Sequence, residues 1–254
     1  MATVTVAVPT WMEDRWLPRL LRSLRQGESW PVIVADNHSS DRTVKIAKEN
    51  GCTVVQGGTP AVGRNAAASV ATTDIIVFVD ADVVLTKSVF GAIKTAFSHP
   101  SQVVALHCRL QPLSRCYCHR FAYVLLDAYI RAFRRLGIAQ GVGSLIAVRT
   151  AAFRSVGGFD ERLAVGEDVD FLRRVSRVGS VLYRSDVTAW VSARRLSLES
   201  PLLFGLKTLM WAGLRLLNSR RSVLGYRWRA YPSTLANLEA LAVETVLSST
   251  ENAT

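Results

Sequence analysis

The sequence predicts an α/β protein built on a mostly parallel, doubly wound sheet and followed by a helical C-terminal tail. Short β-branched, apolar runs alternate with segments of helical spacing, the pattern of strand–helix–strand units. Apolar residues make up 49% of the 254 residues, enough to form a buried core. Aspartates follow directly after two of the apolar runs, where ligands bind in sheets of this kind.

The predicted strands and helices of the first half alternate in chain order. The strands are expected at 4–8, 31–35, 53–55 and 75–79, and the helices at 16–24, 42–49 and 64–70. The stretch 39–41, Ser-Ser-Asp, is a candidate cap for the second helix, which Gly51 ends. Because right-handed crossovers connect such strands, neighbouring strands are expected to run parallel.

The pattern becomes looser after residue 100. It predicts an amphipathic helix at 121–136, basic at its end, a strand at 144–148 and a helix at 167–178. The last helix begins with acidic and continues with basic residues, which matches the helix dipole. We expect a core over residues 1–195 and a tail of different composition over 196–254.

The net charge of +11 is concentrated in the second half of the chain. Residues 1–100 carry 10 Lys/Arg and 9 Asp/Glu, whereas residues 101–254 carry 21 and 11. A local basic excess favours a polyanionic neighbour such as phosphate-bearing lipid, nucleic acid or an anionic substrate. The N-terminus lacks a basic secretory n-region and the four cysteines lack disulfide-like spacing, which favours a reducing, cytoplasmic compartment.

Two carboxylates, Asp80 and Asp82, follow the apolar run 75–79. On an extended backbone residues i and i+2 point to the same side, so both carboxylates are predicted to face one site. Mg²⁺ and Mn²⁺ prefer hard oxygen ligands of this kind, completed by substrate phosphates. A helix cap or a solvated loop pair is the alternative, and the position after a buried strand favours the metal.

Four segments of the chain resemble the GT-A-fold glycosyltransferases of family 2 and occur in that family's order. They are VAVPTWMED at 6–14, VADNHSSDRT at 34–43, GRNAAASVATTDIIVFVDAD at 63–82 and GGFDERLAVGEDVDFLRR at 157–174. The resemblance implies a GT-A fold whose residues 1–100 bind the nucleotide and whose residues 101–195 bind the acceptor. It also implies a nucleotide-diphosphate sugar, of UDP or GDP, as the donor.

The same resemblance implies roles around the nucleotide. Pro9, Thr10 and Glu13 would line the nucleotide pocket, largely through the backbone. Asp36 would accept a hydrogen bond from the base, although a cap on the following helix is the alternative. Arg64 would lean toward the nucleotide and its phosphates.

For the diphosphate, the resemblance implies a bound Mn²⁺ or Mg²⁺. Asp82 would bind this metal, and Asp80, the residue nearest the ribose, is a second candidate ligand. The charge of the metal would stabilise the leaving diphosphate. Arg194 and Arg195 are candidates to reach the diphosphate, with surface charge as the alternative. A third protein ligand, often His in relatives, is not evident.

On the acceptor side, Glu167 and Asp168 match the family's acidic pair at a helix start. We predict that Asp168 is the general base for the acceptor hydroxyl and that Glu167 orients it or contacts the acceptor. Stabilisation of the helix N-terminus is the alternative. Gly141, Gly143 and Ser144 match the stretch before the acceptor site, where small residues let the backbone approach a sugar. The further acceptor-side candidates are Gly158 and Asp160.

A base opposite a metal-held leaving group implies in-line attack with inversion at the sugar. The Gln-x-x-Arg-Trp motif of processive synthases is absent, and the comparable region reads WVSARRL at 190–196. We therefore expect transfer of one sugar to a lipid-linked or cell-envelope glycan acceptor. A polyprenyl-phosphate sugar synthase is the nearest alternative.

Two other classes of protein are less consistent with the sequence. A nucleotidyltransferase would share the nucleotide-binding half, but the Gly-Gly-Phe-Asp…Glu-Asp block argues against it. A basic nucleic-acid-binding protein would explain the charge but not the aspartates at the strand ends, and no recognition helix is evident. No nucleic-acid partner is therefore expected.

Two further segments suggest ligands or surfaces. HCRLQPLSRCYCH at 107–119 contains three cysteines, but its C-x-C spacing fits zinc poorly, so ordinary buried thiols are favoured. PLLFGLKTLMWAGLRLL at 201–217 is short and charged for a membrane span. As a basic amphipathic helix containing Trp, it favours peripheral binding to an anionic membrane surface, on the inner face of the cell membrane. Packing on the core is the alternative.

Overall fold

The computed structural model describes residues 2–98, 102–163, 165–198 and 239–251. Over these ranges the chain forms an eight-stranded sheet with helices packed against it. The strands are β1 (Val4–Thr10), β2 (Val32–Asp36), β3 (Thr53–Gln56), β4 (Ile75–Val79), β5 (Val83–Val84), β6 (Val103–Pro112), β7 (Leu145–Arg149) and β8 (Ser180–Val191). The helices are α1 (Leu17–Gly27), α2 (Thr43–Glu49), α3 (Pro60–Val70), α4 (Lys87–Phe97), α5 (Tyr117–Arg135), α6 (Thr150–Ser155), α7 (Glu167–Val175), α8 (Arg194–Leu198) and α9 (Ala240–Glu251).

The sheet has a parallel part and a mixed part. Its strand order is β3-β2-β1-β4-β7-β6-β8-β5. The first four strands in this order pair in parallel, as the alternation of strands and helices predicts. β7 runs antiparallel to β4 and β6, and β5 runs antiparallel to β8. The predicted α/β fold with a mostly parallel sheet is confirmed. The antiparallel pairs lie in the part of the sheet from β4 to β5 in this order.

Side chains of the central strands alternate between two apolar clusters. Val6 and Val8 of β1 join the cluster that contains α1 and α4, whereas Ala7 joins the cluster that contains α3 and α7. Phe78 of β4 lies in the second cluster, where the ring of Phe159 meets it edge-on at a centroid distance of 5.1 Å. Helices therefore cover both faces of the sheet, and the carboxyl ends of the strands remain as the edge on which a site can form.

Two of the longest strands, β6 and β8, are missed by the sequence pattern. Both carry charged side chains among their apolar ones, and β8 alternates irregularly between exposed and buried positions. A half-exposed strand of this kind lacks the continuous apolar run that marks a buried one. Helix α3 begins at Pro60, before the predicted start at 64, because proline is favoured in the first turn of a helix.

The C-terminal helix α9 packs against the first helix and β5. Val246 and Leu247 are buried beside Trp16 and Val84. Part of the predicted tail is therefore helical and packs against α1 and β5, whereas the predicted amphipathic segment 201–217 lies outside the described residues. Among the helices of the described ranges, none has the length and apolar character needed to cross a membrane.

Candidate active site

The first predicted site residues lie where β1 and β2 end side by side. Pro9 of β1 is paired with Ala35, and Thr10 with Asp36. The Thr10 hydroxyl donates a hydrogen bond of 2.9 Å to Asp36 Oδ1, and the backbone N–H of Ser39 donates one of 2.8 Å to Oδ2. Asp36 thus orders the loop that follows β2 and does not cap α2.

Arg42 is the N-cap residue of α2 and makes no capping hydrogen bond through its side chain. Asp41, of the predicted stretch 39–41, lies directly before it. Its Oδ1 accepts a hydrogen bond of 2.9 Å from the backbone N–H of Thr43. The Thr43 hydroxyl in turn accepts the backbone N–H of Glu13 at 2.8 Å. The loop that carries Glu13 is therefore fixed against the loop after β2, so the two predicted walls of the nucleotide pocket form one unit.

The aspartates Asp80 and Asp82 lie in a tight turn between β4 and β5. The backbone N–H of Val83 donates to the carbonyl of Asp80 at 3.2 Å, which closes the turn. The extended backbone expected at these two residues is therefore not found, because the strand ends at Val79; that both carboxylates face one site stays a prediction. Each carboxylate is instead oriented by an arginine from another part of the chain.

Arg64 of α3 orients Asp80 and joins it to the acidic pair of α7. Its side chain is buried, and it donates to Asp80 Oδ1 at 2.8 Å and to Glu167 Oε1 at 2.9 Å. A third hydrogen bond, of 3.3 Å, reaches the carbonyl of Gly143. Burial lowers the pKa of Arg64, but Asp80, Glu167 and Asp168 outweigh it and hold that pKa above its usual value. Arg64 thus stays a cation at the centre of the site.

Gly143 makes this arrangement possible. A Cβ on this residue would lie 2.7 Å from Nη2 of Arg64, closer than the two atoms can approach. The backbone N–H of Gly143 also donates a hydrogen bond of 2.7 Å to Asp168 Oδ2. One glycine therefore contacts both the central arginine and the predicted general base.

Asp168 is the second residue of α7, a helix that begins directly after Gly166, whose φ of 73° is left-handed. Its second oxygen, Oδ1, accepts the backbone N–H of Val169 at 2.7 Å. Burial, together with repulsion from Glu167, raises the pKa of Asp168 to about 6, although the charge of Arg64 opposes the shift. A carboxylate with this pKa can accept a proton near neutral pH.

Arg194 orients Asp82 by a hydrogen bond, as Arg64 orients Asp80. Its Nε donates to Asp82 Oδ2 at 3.1 Å, and its two terminal nitrogens donate to the Glu13 carboxylate at 2.9 and 2.5 Å. Burial raises the pKa of Glu13, with Arg194 opposing and the charges of Asp82 and Asp80 adding to the rise. Of the two predicted arginines, Arg194 is buried, whereas Arg195 is exposed.

The remaining acceptor-side residues are placed by their backbones or by neighbours. The carbonyl of Ser144 accepts the backbone N–H of Asp80 at 3.2 Å. Gly158 has a left-handed φ of 69°, and its missing Cβ leaves room for Asn65. Asp160 is bound by Arg162 at 2.9 and 2.8 Å, which lowers its pKa to about 2.

Two residues that the sequence pattern misses support this site. Asn65 exchanges hydrogen bonds of 2.9 Å with both the N–H and the carbonyl of Phe159, which ties α3 to the Gly-Gly-Phe-Asp loop. Glu239, just before α9, accepts the backbone N–H of Ala193 at 2.8 Å, next to Arg194. Asn65 lies inside one of the recognised segments, but no local pattern marks Glu239, which is distant in sequence from every motif.

The two aspartates of the turn suit Mg²⁺ or Mn²⁺ bound together with a substrate better than a metal held by protein ligands alone. Within the described ranges, one oxygen of Asp80 and one of Asp82 bind an arginine, which leaves the second oxygen of each for a cation. No cluster of three or more His, Cys, Asp or Glu ligands occurs in that part of the chain. Two hard oxygens without a third protein ligand fit Mg²⁺ or Mn²⁺ that takes its other ligands from phosphates and water.

The cysteine-rich segment does not form a metal site in the described ranges. Cys108 is buried in β6, but Cys116 and Cys118 are exposed at the start of α5. The expectation of ordinary buried thiols is therefore correct for Cys108 and wrong for the other two. They lie at the N-terminal end of a helix that also exposes several large apolar side chains.

A cavity of about 230 Å³ lies beside this site. Arg194, Glu239 and Ser197 line one part of it, and Ser114 and Arg115 line another. The cavity therefore adjoins Arg194, which binds Asp82, and lies between the segment before α5 and the start of α9.

The fold matches that of solved glycosyltransferases. Mannosyltransferase PcManGT from Pyrobaculum calidifontis, in complex with GDP-Man and Mn²⁺, superposes with a TM-score of 0.64 at 18% identity, over 100% of this chain and 76% of that one. Glucosyl-3-phosphoglycerate synthase from Mycobacterium tuberculosis, in complex with Mn²⁺ and UDP, gives 0.61 at 16% identity, over 91% and 86%. These similarities show a GT-A fold, as the sequence resemblance implies.

The chain belongs to glycosyl transferase family 2, whose sequence pattern matches residues 5–155. A 4,4'-diaponeurosporenoate glycosyltransferase from Staphylococcus haemolyticus is 39% identical over 94 residues, which are 33% of this chain and 25% of that protein. A pre-mycofactocin glycosyltransferase from Mycobacterium tuberculosis is 26% identical over 193 residues, 70% of this chain and 40% of that protein. The chain thus spans a quarter to two fifths of these relatives.

Proposed function

We propose that the protein is an inverting, metal-dependent, non-processive glycosyltransferase that moves one sugar from a nucleotide-diphosphate sugar to a hydroxyl acceptor. The observation that supports this most is the position of Arg64, which binds Asp80 on the donor side and Glu167 beside the predicted base. A single buried cation thus joins the two halves of a transfer site. A nucleotide-binding domain alone would not need the second half.

On the donor side, the loops that carry Glu13 and Asp36 form the nucleotide pocket, with Pro9 and Thr10 at its floor. Asp82 and Asp80 would hold Mn²⁺ or Mg²⁺, which would supply positive charge for the leaving diphosphate. Arg194 keeps Asp82 oriented through its hydrogen bond of 3.1 Å. Some solved neighbours contain UDP and another contains GDP-Man, which supports a sugar of UDP or GDP as the donor.

On the acceptor side, Asp168 takes the proton of the attacking hydroxyl. Its two backbone hydrogen bonds hold the carboxylate in one orientation, and its raised pKa makes proton transfer favourable near neutral pH. General bases contribute about 10²–10⁴-fold in rate. Glu167, held by Arg64, orients the acceptor, and attack from the base side opposite the diphosphate inverts the anomeric centre.

The acceptor that we propose is lipid-linked or a cell-envelope glycan. The named acceptors of the two relatives, 4,4'-diaponeurosporenoate and pre-mycofactocin, differ from each other, so they do not choose between these classes. The support is the basic second half of the chain, which favours an anionic surface. The enzyme would accordingly act at the cytoplasmic face of the cell membrane, with the segment 201–217 as a candidate anchor.

Calorimetric titration with UDP, GDP and their sugars, with and without Mn²⁺, tests the donor side. We expect metal-dependent binding of one nucleotide by the wild type and its loss in Asp82→Asn. Asp186→Asn is the matched control, because Asp186 is an exposed aspartate paired only with a nearby arginine, Arg184, among the described residues. Absence of nucleotide binding by the wild type under both conditions would contradict the proposal.

The products test the reaction class. With the donor identified, we expect release of the nucleoside diphosphate and a product whose anomeric configuration, measured by NMR, is opposite to that of the donor. Retention of configuration would contradict inversion. Release of pyrophosphate would instead identify a nucleotidyltransferase.

A further inference from the structure

Helix α5 is oriented with its apolar side toward solvent. The exposed fractions are 86% for Tyr117, 63% for Phe121, 53% for Val124 and 54% for Leu125, and Leu136 just after the helix is 72% exposed. Among the described residues, these five are more than half of the large hydrophobic side chains that are exposed. Their spacing places them on one side of the helix. We call this surface, Tyr117, Phe121, Val124, Leu125 and Leu136, the α5 face.

The buried side of α5 is partly polar, and its buried carboxylate and imidazole are hydrogen-bonded. Asp127 accepts hydrogen bonds from the Tyr183 hydroxyl and, at 2.5 Å, from Arg131. His119 is hydrogen-bonded to the Ser114 hydroxyl at 2.9 Å. Rotating the helix to bury its apolar side would break the bonds to Tyr183 and Ser114 and leave the buried Tyr183 hydroxyl without its acceptor, which is costly. The outward α5 face is therefore fixed by the fold.

Positive charge surrounds the α5 face. Arg120, Arg131 and Arg135 are exposed on the same helix, and Arg115 precedes its first turn. The single acidic residue of α5, Asp127, is buried and paired with Arg131. A solvent-facing apolar stripe with aromatic residues and flanking arginines is the arrangement of helices that lie in the interface of an anionic membrane.

We propose that the α5 face is a docking surface for an anionic lipid bilayer. Charge complementarity favours this occupant over two others. A second copy of the chain would bring two sets of arginines together, and the chain's own segment 199–238 carries more Lys and Arg than Asp and Glu, so it would repel the same arginines. Anionic headgroups neutralise the arginines while the acyl region covers the apolar side chains.

Docking in this way would bring the bilayer next to the site. Arg115 lies two residues before α5 and lines the cavity beside Arg194. Leu241, which is 65% exposed, lines the same cavity from α9. The α5 face and the cavity therefore form adjoining parts of one surface. The inference rests on this geometry and not on the transfer chemistry, so it stands or falls separately from the proposed function.

Co-sedimentation with vesicles tests the proposal on the full chain. We expect binding to vesicles that contain phosphatidylglycerol, much weaker binding to phosphatidylcholine alone, and a loss of binding of about tenfold or more in the double variant Phe121→Glu, Leu125→Glu. Val178→Glu is the matched control, because Val178 is also exposed, at 49%, but lies outside α5. This control is expected to bind as the wild type does.

Two further measurements make the outcome decisive. The far-UV circular dichroism spectrum and the thermal unfolding midpoint of the double variant are expected to match those of the wild type, which shows that the variant is folded whether or not the protein binds a nucleotide. Binding of the double variant to anionic vesicles at the wild-type level would overturn the proposal in favour of another anchor. So would a dimeric wild type that becomes monomeric in the double variant, because a second copy would then cover the face.

Discussion

At the scale of single residues, the candidate site depends on two buried arginines that each fix one carboxylate of a turn. Arg64 binds Asp80 and Arg194 binds Asp82, at 2.8 and 3.1 Å. Removing a buried arginine would leave buried carboxylates unpaired, so its cost exceeds the value of the hydrogen bonds alone. The aspartates are thus held in place before any cation or nucleotide binds.

The raised pKa of Asp168 predicts the pH dependence of the reaction. The carboxylate must be deprotonated to act as a base, and its pKa is about 6. We expect kcat/KM to be constant above this pH and to fall by about tenfold per pH unit below it. A pH–rate profile of the wild type measures this. A profile that stays flat down to pH 5 would show that the base is another group or that none is needed.

Substitution of the base separates the proposed function from its nearest alternative. Asp168→Asn keeps the shape of the side chain but removes its charge, and we expect kcat to fall by about 10²–10⁴-fold while nucleotide binding is retained. Asp186→Asn is the matched control, since Asp186 is exposed and paired with Arg184, and we expect it to leave kcat unchanged. If Asp168→Asn is fully active, the acceptor is a phosphate that needs no base, as in a polyprenyl-phosphate sugar synthase.

At the scale of elements, the close approach of Gly143 to α3 gives a sharp test of the central arginine. In Gly143→Ala the new Cβ would lie 2.7 Å from Arg64 Nη2, so the guanidinium must move away from Asp80 and Glu167. We expect activity to fall by about tenfold or more, since displacement of a positioning group by about 1 Å can cost up to about a hundredfold. Steady-state kinetics measure the loss.

Gly91→Ala is the matched control for that substitution. Gly91 lies in α4, and a Cβ there would have nothing within 4 Å. We expect this variant to keep full activity and to gain roughly 0.5–1 kcal/mol in free energy of unfolding, because alanine is the better helix former. Equal activity in the two variants would show that Arg64 does not need its observed position.

The sequence predicts the elements of the parallel half well and those of the mixed half less well, for a physical reason. Strands β1 and β4 are buried on both faces and read as continuous apolar runs. Strand β8 is buried irregularly, so its pattern resembles a loop. For α5 the amphipathic period is visible, but the side that faces the sheet depends on the pairing of Asp127 with Tyr183, which is a tertiary contact.

The same distinction applies to the candidate site. The carboxylates at 36, 80, 82, 167 and 168 belong to local motifs, so the sequence identifies them as candidates. Their partners are long-range: Arg194 is 181 residues from Glu13, and Glu239 is 46 residues from Ala193. No local pattern encodes such pairs. The turn at Asp80 was also not predictable, because the apolar run continues on both sides of it.

At the scale of the whole molecule, the C-terminal helix α9 supports a site built from residues that precede it in the chain. Leu247 is buried against the cluster around Trp16 and Val84, and Glu239 at the other end of the helix binds the N–H beside Arg194. Detachment of α9 would therefore release the start of α8, which carries Arg194. Stability of the helix and binding of the nucleotide should be linked.

Leu247→Ala tests this linkage. The side chain is fully buried, so we expect a loss of about 2–5 kcal/mol in free energy of unfolding, measured by denaturant titration, and a weaker metal-dependent affinity for the nucleotide. Leu241→Ala removes the same atoms from the same helix at a position that is 65% exposed, and we expect it to leave both quantities nearly unchanged. If Leu247→Ala lowers stability but leaves nucleotide affinity intact, α9 stabilises the fold without organising Arg194. A loss of affinity that appears only in the buried variant would show that the donor site depends on the C-terminal helix.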